Sequence, residues 1–182
     1  MTIDAEKKYP ISEIFTSWQG EGLWSGTRMT FIRFAGCNVG KPIVGTPSNL
    51  PRDSKYKNTA SYGLLPIWQE ECTSWDGRKF LCDTDFRVKE RLTAEEIVSR
   101  VPEGIIHIVF TGGEPLLHAQ GIDYIRDLWI DKIGWLPEDG KIFHIETSGT
   151  ILYDYPEHRS NWITVSPKLN CKREMIQKAH ER

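Results

Sequence analysis

Apolar positions along the chain fall into short, well-separated runs. The first strong one is Thr27-Arg28-Met29-Thr30-Phe31-Ile32-Arg33-Phe34, where apolar and polar residues partly alternate and β-formers dominate, so it predicts a strand that runs into Ala35-Gly36-Cys37. Ile105-Ile106-His107-Ile108-Val109-Phe110 is almost wholly apolar, which suits a parallel strand covered on both faces, and Thr111-Gly112-Gly113-Glu114-Pro115 follows at once. Two later strands are predicted at Lys141 to Glu146, leading into Thr147-Ser148-Gly149-Thr150, and at Trp162 to Val165, leading into Ser166-Pro167-Lys168. Between them lie helical patterns. Thr93-Ala94-Glu95-Glu96 is a capping box ahead of Ile97, Val98 and Val101, with Pro102 and Gly104 as stops. A second helix is predicted from about Leu117 to Lys132, with Ile122, Ile125, Leu128 and Trp129 on one face and Gly134 and Pro137 as breakers; a last one covers roughly Lys172 to His180.

Strands alternating with helices indicate right-handed βαβ units, a parallel sheet, and ligand sites at the strands' C-terminal ends, where the polar motifs fall. Residues 38 to 81 break the pattern. They carry four prolines and loop-like runs such as Pro47-Ser48-Asn49-Leu50-Pro51-Arg52-Asp53-Ser54, and are expected to form one long structureless loop.

Composition narrows the class. The 182 residues suit a single domain, 1–182, and 39% hydrophobic with 26% charged residues is the balance of an ordinary globular protein. A net charge of -2 gives no basic field for nucleic acid or for an anionic membrane. The N-terminus lacks an apolar h-region and no stretch reaches the length of a membrane span, so a cytoplasmic location is expected. Cysteines stand at 37, 72, 82 and 171; with nothing that marks secretion, reduced thiols are expected rather than disulfides.

Soft thiolates are what iron-sulfur clusters and zinc prefer, and three ligands would leave one iron open to a small molecule. Spacing alone leaves a cluster, a zinc site and ordinary buried thiols all open. In Thr111-Gly112-Gly113-Glu114-Pro115, two glycines let the backbone approach a ligand, and Glu114 offers a carboxylate to an ammonium group; a plain strand-to-helix turn would read the same way. Glu146 to Thr150 and Ser166 to Lys168 could likewise be polar caps on strands. Gln19, within Glu13-Ile14-Phe15-Thr16-Ser17-Trp18-Gln19-Gly20-Glu21-Gly22, can donate and accept, which suits the amide edge of a pterin or purine-like heterocycle, and a surface β-turn would read the same way.

Taken in order, Glu13 to Gly22, Arg33-Phe34-Ala35-Gly36-Cys37-Asn38, Cys82-Asp83-Thr84, Thr111 to Pro115, Glu146 to Thr150 and Ser166 to Lys168 form a set that resembles the 7-carboxy-7-deazaguanine synthases of the radical S-adenosylmethionine (SAM) superfamily. The motifs extend over residues 13 to 168. The resemblance implies an α/β fold: a partial, open (β/α) barrel of the radical SAM type, with residues 38–81 as a long insertion in the cluster-binding loop. It implies conversion of 6-carboxy-5,6,7,8-tetrahydropterin to 7-carboxy-7-deazaguanine with loss of ammonia, on the way to queuosine and related 7-deazapurines. The implied cofactors are a [4Fe-4S] cluster, S-adenosyl-L-methionine and Mg2+. An electron donor such as flavodoxin and a homodimer are the implied partners.

Carried over residue by residue, Cys37, Cys72 and Cys82 match the cluster ligands, with Cys171 as the alternative to Cys72. Gly113, Glu114, Ser148, Ser166, Pro167 and Lys168 match SAM-binding positions, Glu114 near the amino group. Trp18, Gln19, Gly20, Arg33 and Thr111 match substrate contacts, the Arg33 guanidinium suiting the substrate carboxylate. Thr84 matches the position whose hydroxyl helps hold Mg2+.

Two features depart from the family pattern. The superfamily spaces its cysteines C-x3-C-x2-C, whereas 34 residues separate Cys37 from Cys72 and nine separate Cys72 from Cys82. Relatives also continue past the position of Arg182 to a C-terminal substrate contact, for which no residue is assigned. The rival readings are a radical SAM activase acting on a protein and a zinc-stabilised, non-catalytic binding module.

Overall fold

The computed structural model describes residues 6–42, 70–82, 84, 88–133, 140–154 and 161–182. The run Pro47 to Ser54, Asp83 and the breakers Gly134 and Pro137 lie outside them. The main sheet contains β1 (Tyr9–Trp18), β2 (Arg28–Phe34), β6 (Glu90–Leu92), β7 (His107–Gly112), β8 (Ile142–Thr147) and β9 (Asn161–Val165). A small sheet holds β3 (Lys41–Pro42), β4 (Glu70–Thr73) and β5 (Lys79–Leu81) in the order β3-β4-β5. The helices are α1 (Ala94–Ser99), α2 (Ala119–Ile133) and α3 (Arg173–Lys178).

The main sheet runs β6-β1-β2-β7-β8-β9. β2, β7, β8 and β9 are parallel, as their polar C-terminal motifs predict, so those motifs gather along one edge. The sheet also contains strands outside the parallel set: β1 pairs antiparallel with both β2 and β6. No helix separates β1 from β2, and a short connection between neighbouring strands can only return antiparallel. β1 itself escapes a pattern reading because its register shifts between Ile11 and Glu13, which breaks the two-residue period.

One face of the sheet carries the main core. Ile32 and Phe34 of β2, Ile108 and Phe110 of β7, Phe143 and Ile145 of β8, and Ile163 and Val165 of β9 pack with Ile97 of α1 and Ile122 and Ile125 of α2. The near-continuous apolar run of β7 is explained by its other face, where Val109 joins Met29 and Phe31 in a second, smaller cluster against Phe15 and Trp24. The capping box forms as expected, Glu96 N–H donating to Thr93 Oγ1 at 3.2 Å and Thr93 N–H to Glu96 Oε2 at 2.7 Å.

Three expected boundaries move. The second helix opens as a 3-10 turn at Pro115–His118, because the Glu114 side chain accepts the Leu116 N–H at 3.1 Å and Pro115 takes the first helical position. α3 stops at Lys178, since the chain then turns back along β9, with His180 N–H on the Ile163 carbonyl and Val165 N–H on the Glu181 carbonyl, both at 2.9 Å. The described part of 38–81 is not structureless: it makes the small sheet, which docks on the segment after β9 through Leu169 N–H to the Thr73 carbonyl at 3.0 Å and Trp75 N–H to the Pro167 carbonyl at 3.3 Å. No helix among the described residues is long and apolar enough to cross a membrane.

Beneath the second cluster, His107 Nδ1 and His144 Nε2 share a hydrogen bond at 2.9 Å. Burial, and then the neighbouring His107, push His144 down to about 4. An unfolded histidine titrates near 6.5, so the native state keeps His144 neutral in a window where the unfolded chain gains a proton. The stability this provides is fully present above about pH 6.5 and is lost as pH falls towards 4, on the order of 3 kcal/mol over the window. Urea unfolding at a series of pH values should show this decline in the wild type and a clearly shallower one in His144→Gln; equal slopes would locate the acid sensitivity elsewhere.

Candidate active site

The strand ends enclose a cleft of about 650 Å³. Its floor is Thr111-Gly112-Gly113 at the end of β7, with Glu146-Thr147-Ser148 from β8 and Ser166-Pro167-Lys168 from β9 beside it. Cys37 closes one side after β2. The small sheet brings Cys72 and Phe80, direct partners across β4 and β5, followed by Cys82 and Thr84. Gln19, Glu21 and Gly22 enter from the β1–β2 connection, and Glu181 and Arg182 from the segment after α3.

The thiols differ in setting. Val39 and Gly40 N–H groups donate to Cys37 Sγ at 3.4 and 3.5 Å, the kind of backbone contact that accompanies cluster thiolates. Burial pushes the Cys72 thiol up; Lys168 opposes this, and the nearby Cys82 and Cys37 add to it, so Cys72 lies within electrostatic reach of both. Cys171 stands off the cleft, with its sulfur packed against Gly149. Burial, then the Glu114 charge, push its thiol up. No disulfide joins the four cysteines, and no ready-made cage of three His, Cys, Asp or Glu side chains occurs among the described residues.

Four of the residues singled out in the sequence lie off the cleft. Trp18 is 66% exposed, and Gly20 continues the same surface segment. Arg33 donates to Glu13 Oε2 at 3.1 Å and lies over the Phe15 ring at 5.3 Å, while its Nε is buried with no partner among the described residues. Glu114 is fully buried. Its carboxylate accepts from Thr147 Oγ1 at 2.7 Å, from Ser148 N–H at 2.9 Å and from Ser148 Oγ, in addition to Leu116 N–H.

The structure adds residues that the sequence reading did not single out. Glu146, inside a quoted motif, accepts the Gln19 amide at 3.1 Å. Glu181, just past the end of the predicted last helix, accepts Leu23 N–H at 3.2 Å; its position depends on the chain's return along β9, for which the sequence holds no local signal.

No family model matches the sequence. Over 177 residues the chain is 31% identical to the 7-carboxy-7-deazaguanine synthase of Escherichia coli (strain K12), an alignment that covers 96% of this chain and 69% of that protein. The chain belongs to the 7-carboxy-7-deazaguanine synthase family. It is also 32% identical over 163 residues to the 7-carboxy-7-deazaguanine synthase of Bacteroides thetaiotaomicron, covering 89% of this chain and spanning 62% of that relative's length. Among solved structures, the crystal structure of QueE from Escherichia coli matches with a TM-score of 0.53 and 26% identity, over 94% of this chain and 68% of that one. The mixed α/β architecture, with its parallel strands meeting at a polar edge, is thus one this family uses.

Within this family member, Gly113 is a steric requirement of the cysteine turn. A Cβ there would overlap the Gly36 carbonyl and stand 2.8 Å from Cys37 Cβ, and neither backbone nor turn can yield as a flexible side-chain tip could. Gly113→Ala should therefore cost about 1–3 kcal/mol and displace the Cys37 turn. Thiol-labelling rates on the apoprotein check this: Cys37 should change its rate while Cys171 does not, and an unchanged Cys37 would refute the packing argument.

Proposed function

We propose that the chain is a single radical SAM domain, residues 1–182, that converts 6-carboxy-5,6,7,8-tetrahydropterin to 7-carboxy-7-deazaguanine with loss of ammonia. The observation that carries this reading is the meeting of Cys37, Cys72 and Cys82 with Thr111-Gly112-Gly113 and Ser166-Pro167-Lys168 around one cleft, in a chain of this family. The four parallel strands, with helices on one face, fit a partial, open (β/α) barrel. Membership of the family argues against a protein-directed activase and against a zinc-held binding module.

The donor set fits the cofactors. Three soft thiols share the cleft, and two of them come from the small sheet pinned beside Lys168, so Cys37, Cys72 and Cys82 would hold a [4Fe-4S] cluster. When bound, the cluster and SAM supply the radical chemistry. The protein's own residues bind and orient. Gly113 lines the cleft at the end of β7, and Ser148, Ser166, Pro167 and Lys168 would offer a ligand backbone and side-chain polar groups from the next two strands. Lys168 Nζ is already oriented by Ser166 Oγ at 2.6 Å and lies over the Phe80 ring at 5.6 Å. Glu114 acts from behind this wall, holding Thr147 and Ser148 in place, and would meet an ammonium group only by giving up some of those donors.

Gln19 and Thr111 would contact the pterin, the Gln19 amide serving its donor and acceptor edge. Trp18, Gly20 and Arg33 belong to the same reading. For Arg33 to take the substrate carboxylate it must exchange its Glu13 partner, a trade between two carboxylates on a half-buried guanidinium. Thr84, a hydroxyl on the cleft wall, suits a Mg2+ ion that keeps open positions for substrate oxygens. An electron donor of flavodoxin type, a homodimer and a cytoplasmic setting complete the proposal.

Anaerobic reconstitution followed by incubation with SAM, dithionite and the carboxypterin, with mass analysis of the product, tests the reaction; absence of 7-carboxy-7-deazaguanine rejects it. In the same preparation Cys37→Ala, Cys72→Ala and Cys82→Ala should each lose the cluster's visible absorbance and SAM cleavage, while Cys171→Ala keeps both. An inactive Cys171→Ala beside an active Cys72→Ala would move the third ligand. Thr84→Val should leave the cluster intact and abolish the response of turnover to Mg2+, since only a hard oxygen ligand is removed; a wild-type Mg2+ response would remove Thr84 from the metal site.

A further inference from the structure

The connection between β1 and β2, residues 19–27, folds across the sheet face opposite the helices. Its two ends are tied together by Gln19 N–H to the Thr27 carbonyl at 2.9 Å and Gly26 N–H to the Gln19 carbonyl at 2.8 Å. Gly22 and Gly26 take φ of +72° and +83°, which gives the loop its tight course. Of the two apolar side chains in the loop, Leu23 is 71% exposed. Trp24 is the other.

The Trp24 indole enters a nest of rings. Its centroid lies 4.8 Å from His107, and it stands edge-on to His144 at 5.5 Å and to Trp162 at 5.6 Å. The nest is itself braced, by the His107–His144 hydrogen bond and by His180, which stacks on Trp162 at 4.9 Å while its Nδ1 accepts the Ile163 N–H at 3.0 Å. Trp24 Nε1 is buried, with no hydrogen-bond partner among the described residues. The nest therefore holds the ring by shape and by ring-edge contacts, as edge-to-face aromatic pairs do.

The other side of the same loop faces the cleft. Gln19 reaches Glu146, Leu23 N–H reaches Glu181, and Gln19, Glu21 and Gly22 line the wall. Those two hydrogen bonds are partly open to water, where a ligand's own polar groups can compete for them. They cannot by themselves set the loop's place once a ligand arrives. We infer that Trp24 is a positioning residue for pterin recognition: wedged among His107, His144 and Trp162, it fixes the 19–27 loop so that Gln19 and Glu21 stand at the cleft wall. This role rests on the reading of the cleft as a pterin site.

The test uses the reconstituted holoenzyme. Trp24→Ala should raise KM for the carboxytetrahydropterin about tenfold or more, with the SAM dissociation constant and the cluster absorbance unchanged. Trp24→Phe should restore KM to within about threefold, because the indole N–H makes no bond that is lost and a ring still fills the nest. Should Trp24→Ala fail to fold, Trp24→Leu, which keeps apolar bulk without a ring, takes its place. Hydrogen exchange on the unliganded protein gives a readout separate from turnover. The Gly26 and Thr27 amides, bonded to the Gln19 and Trp24 carbonyls, should exchange faster in Trp24→Ala, while Phe31 and Val109 in the sheet keep their protection. Faster exchange at Phe31 and Val109 as well would show a merely structural role and overturn the inference. A wild type that binds pterin, with Trp24→Ala binding it equally well, overturns this role alone; a wild type that takes no pterin overturns the functional reading and this role together.

Discussion

Glu114 ties three strand ends to one another. Its backbone N–H donates to the Gly36 carbonyl at 3.0 Å, which fixes the turn after β2 that carries Cys37. Its own position is the turn after β7. Its carboxylate gathers the Thr147 hydroxyl together with the Ser148 N–H and hydroxyl at the end of β8. A carboxylate with 0% exposure is tolerated only when its oxygens are satisfied, and four donors from two elements satisfy them. Loss of this side chain would leave buried donors without an acceptor, so the cost would spread along the cleft wall rather than stay at one contact.

The two glycines that precede that strut follow from it. With Glu114 drawn down between β7 and β8, the preceding backbone is pressed onto β2, and a Cβ at Gly112 would meet the Phe34 backbone as one at Gly113 would meet Gly36. Gly112 also holds φ at +131°, a conformation a side chain would strain. The Thr-Gly-Gly-Glu run is thus a packing solution for three converging strand ends before it is a ligand contact. That reading accounts for Glu114 lying behind the cleft wall instead of on it.

What was legible in the sequence was whatever depended on local pattern. β2, β7, β8 and β9, the capping box at Thr93, and the placement of polar motifs at strand ends all follow from periodicity and cap chemistry, and the cleft forms where those ends meet. β1 was not legible as a strand because the bulge at Ser12 breaks its alternation, and its antiparallel pairing is a matter of tertiary choice. Trp24 reads as a loop tryptophan until His107, His144 and Trp162, which lie 83 to 138 residues further on, are brought beneath it. Glu181 is hidden for the same reason, since only the return of the chain along β9 carries it to the cleft.

Cys37 and Cys72 are far apart along the chain, yet chain separation is a weak constraint. The entropy of closing a loop grows with the logarithm of its length, about 0.6 kcal/mol for each doubling, so even a tenfold longer loop costs only about 2 kcal/mol more. What a cysteine needs is a fixed anchor near the strand ends. β4 has one within its own end of the insertion: Thr73 accepts Leu169 N–H, Ser74 bridges to Lys168, and Trp75 N–H reaches the Pro167 carbonyl. Cys72 is therefore positioned by the segment that follows β9, and through it by the parallel sheet. The insertion can vary in length without moving the thiol, provided that the contact between β4 and Ser166-Pro167-Lys168 survives.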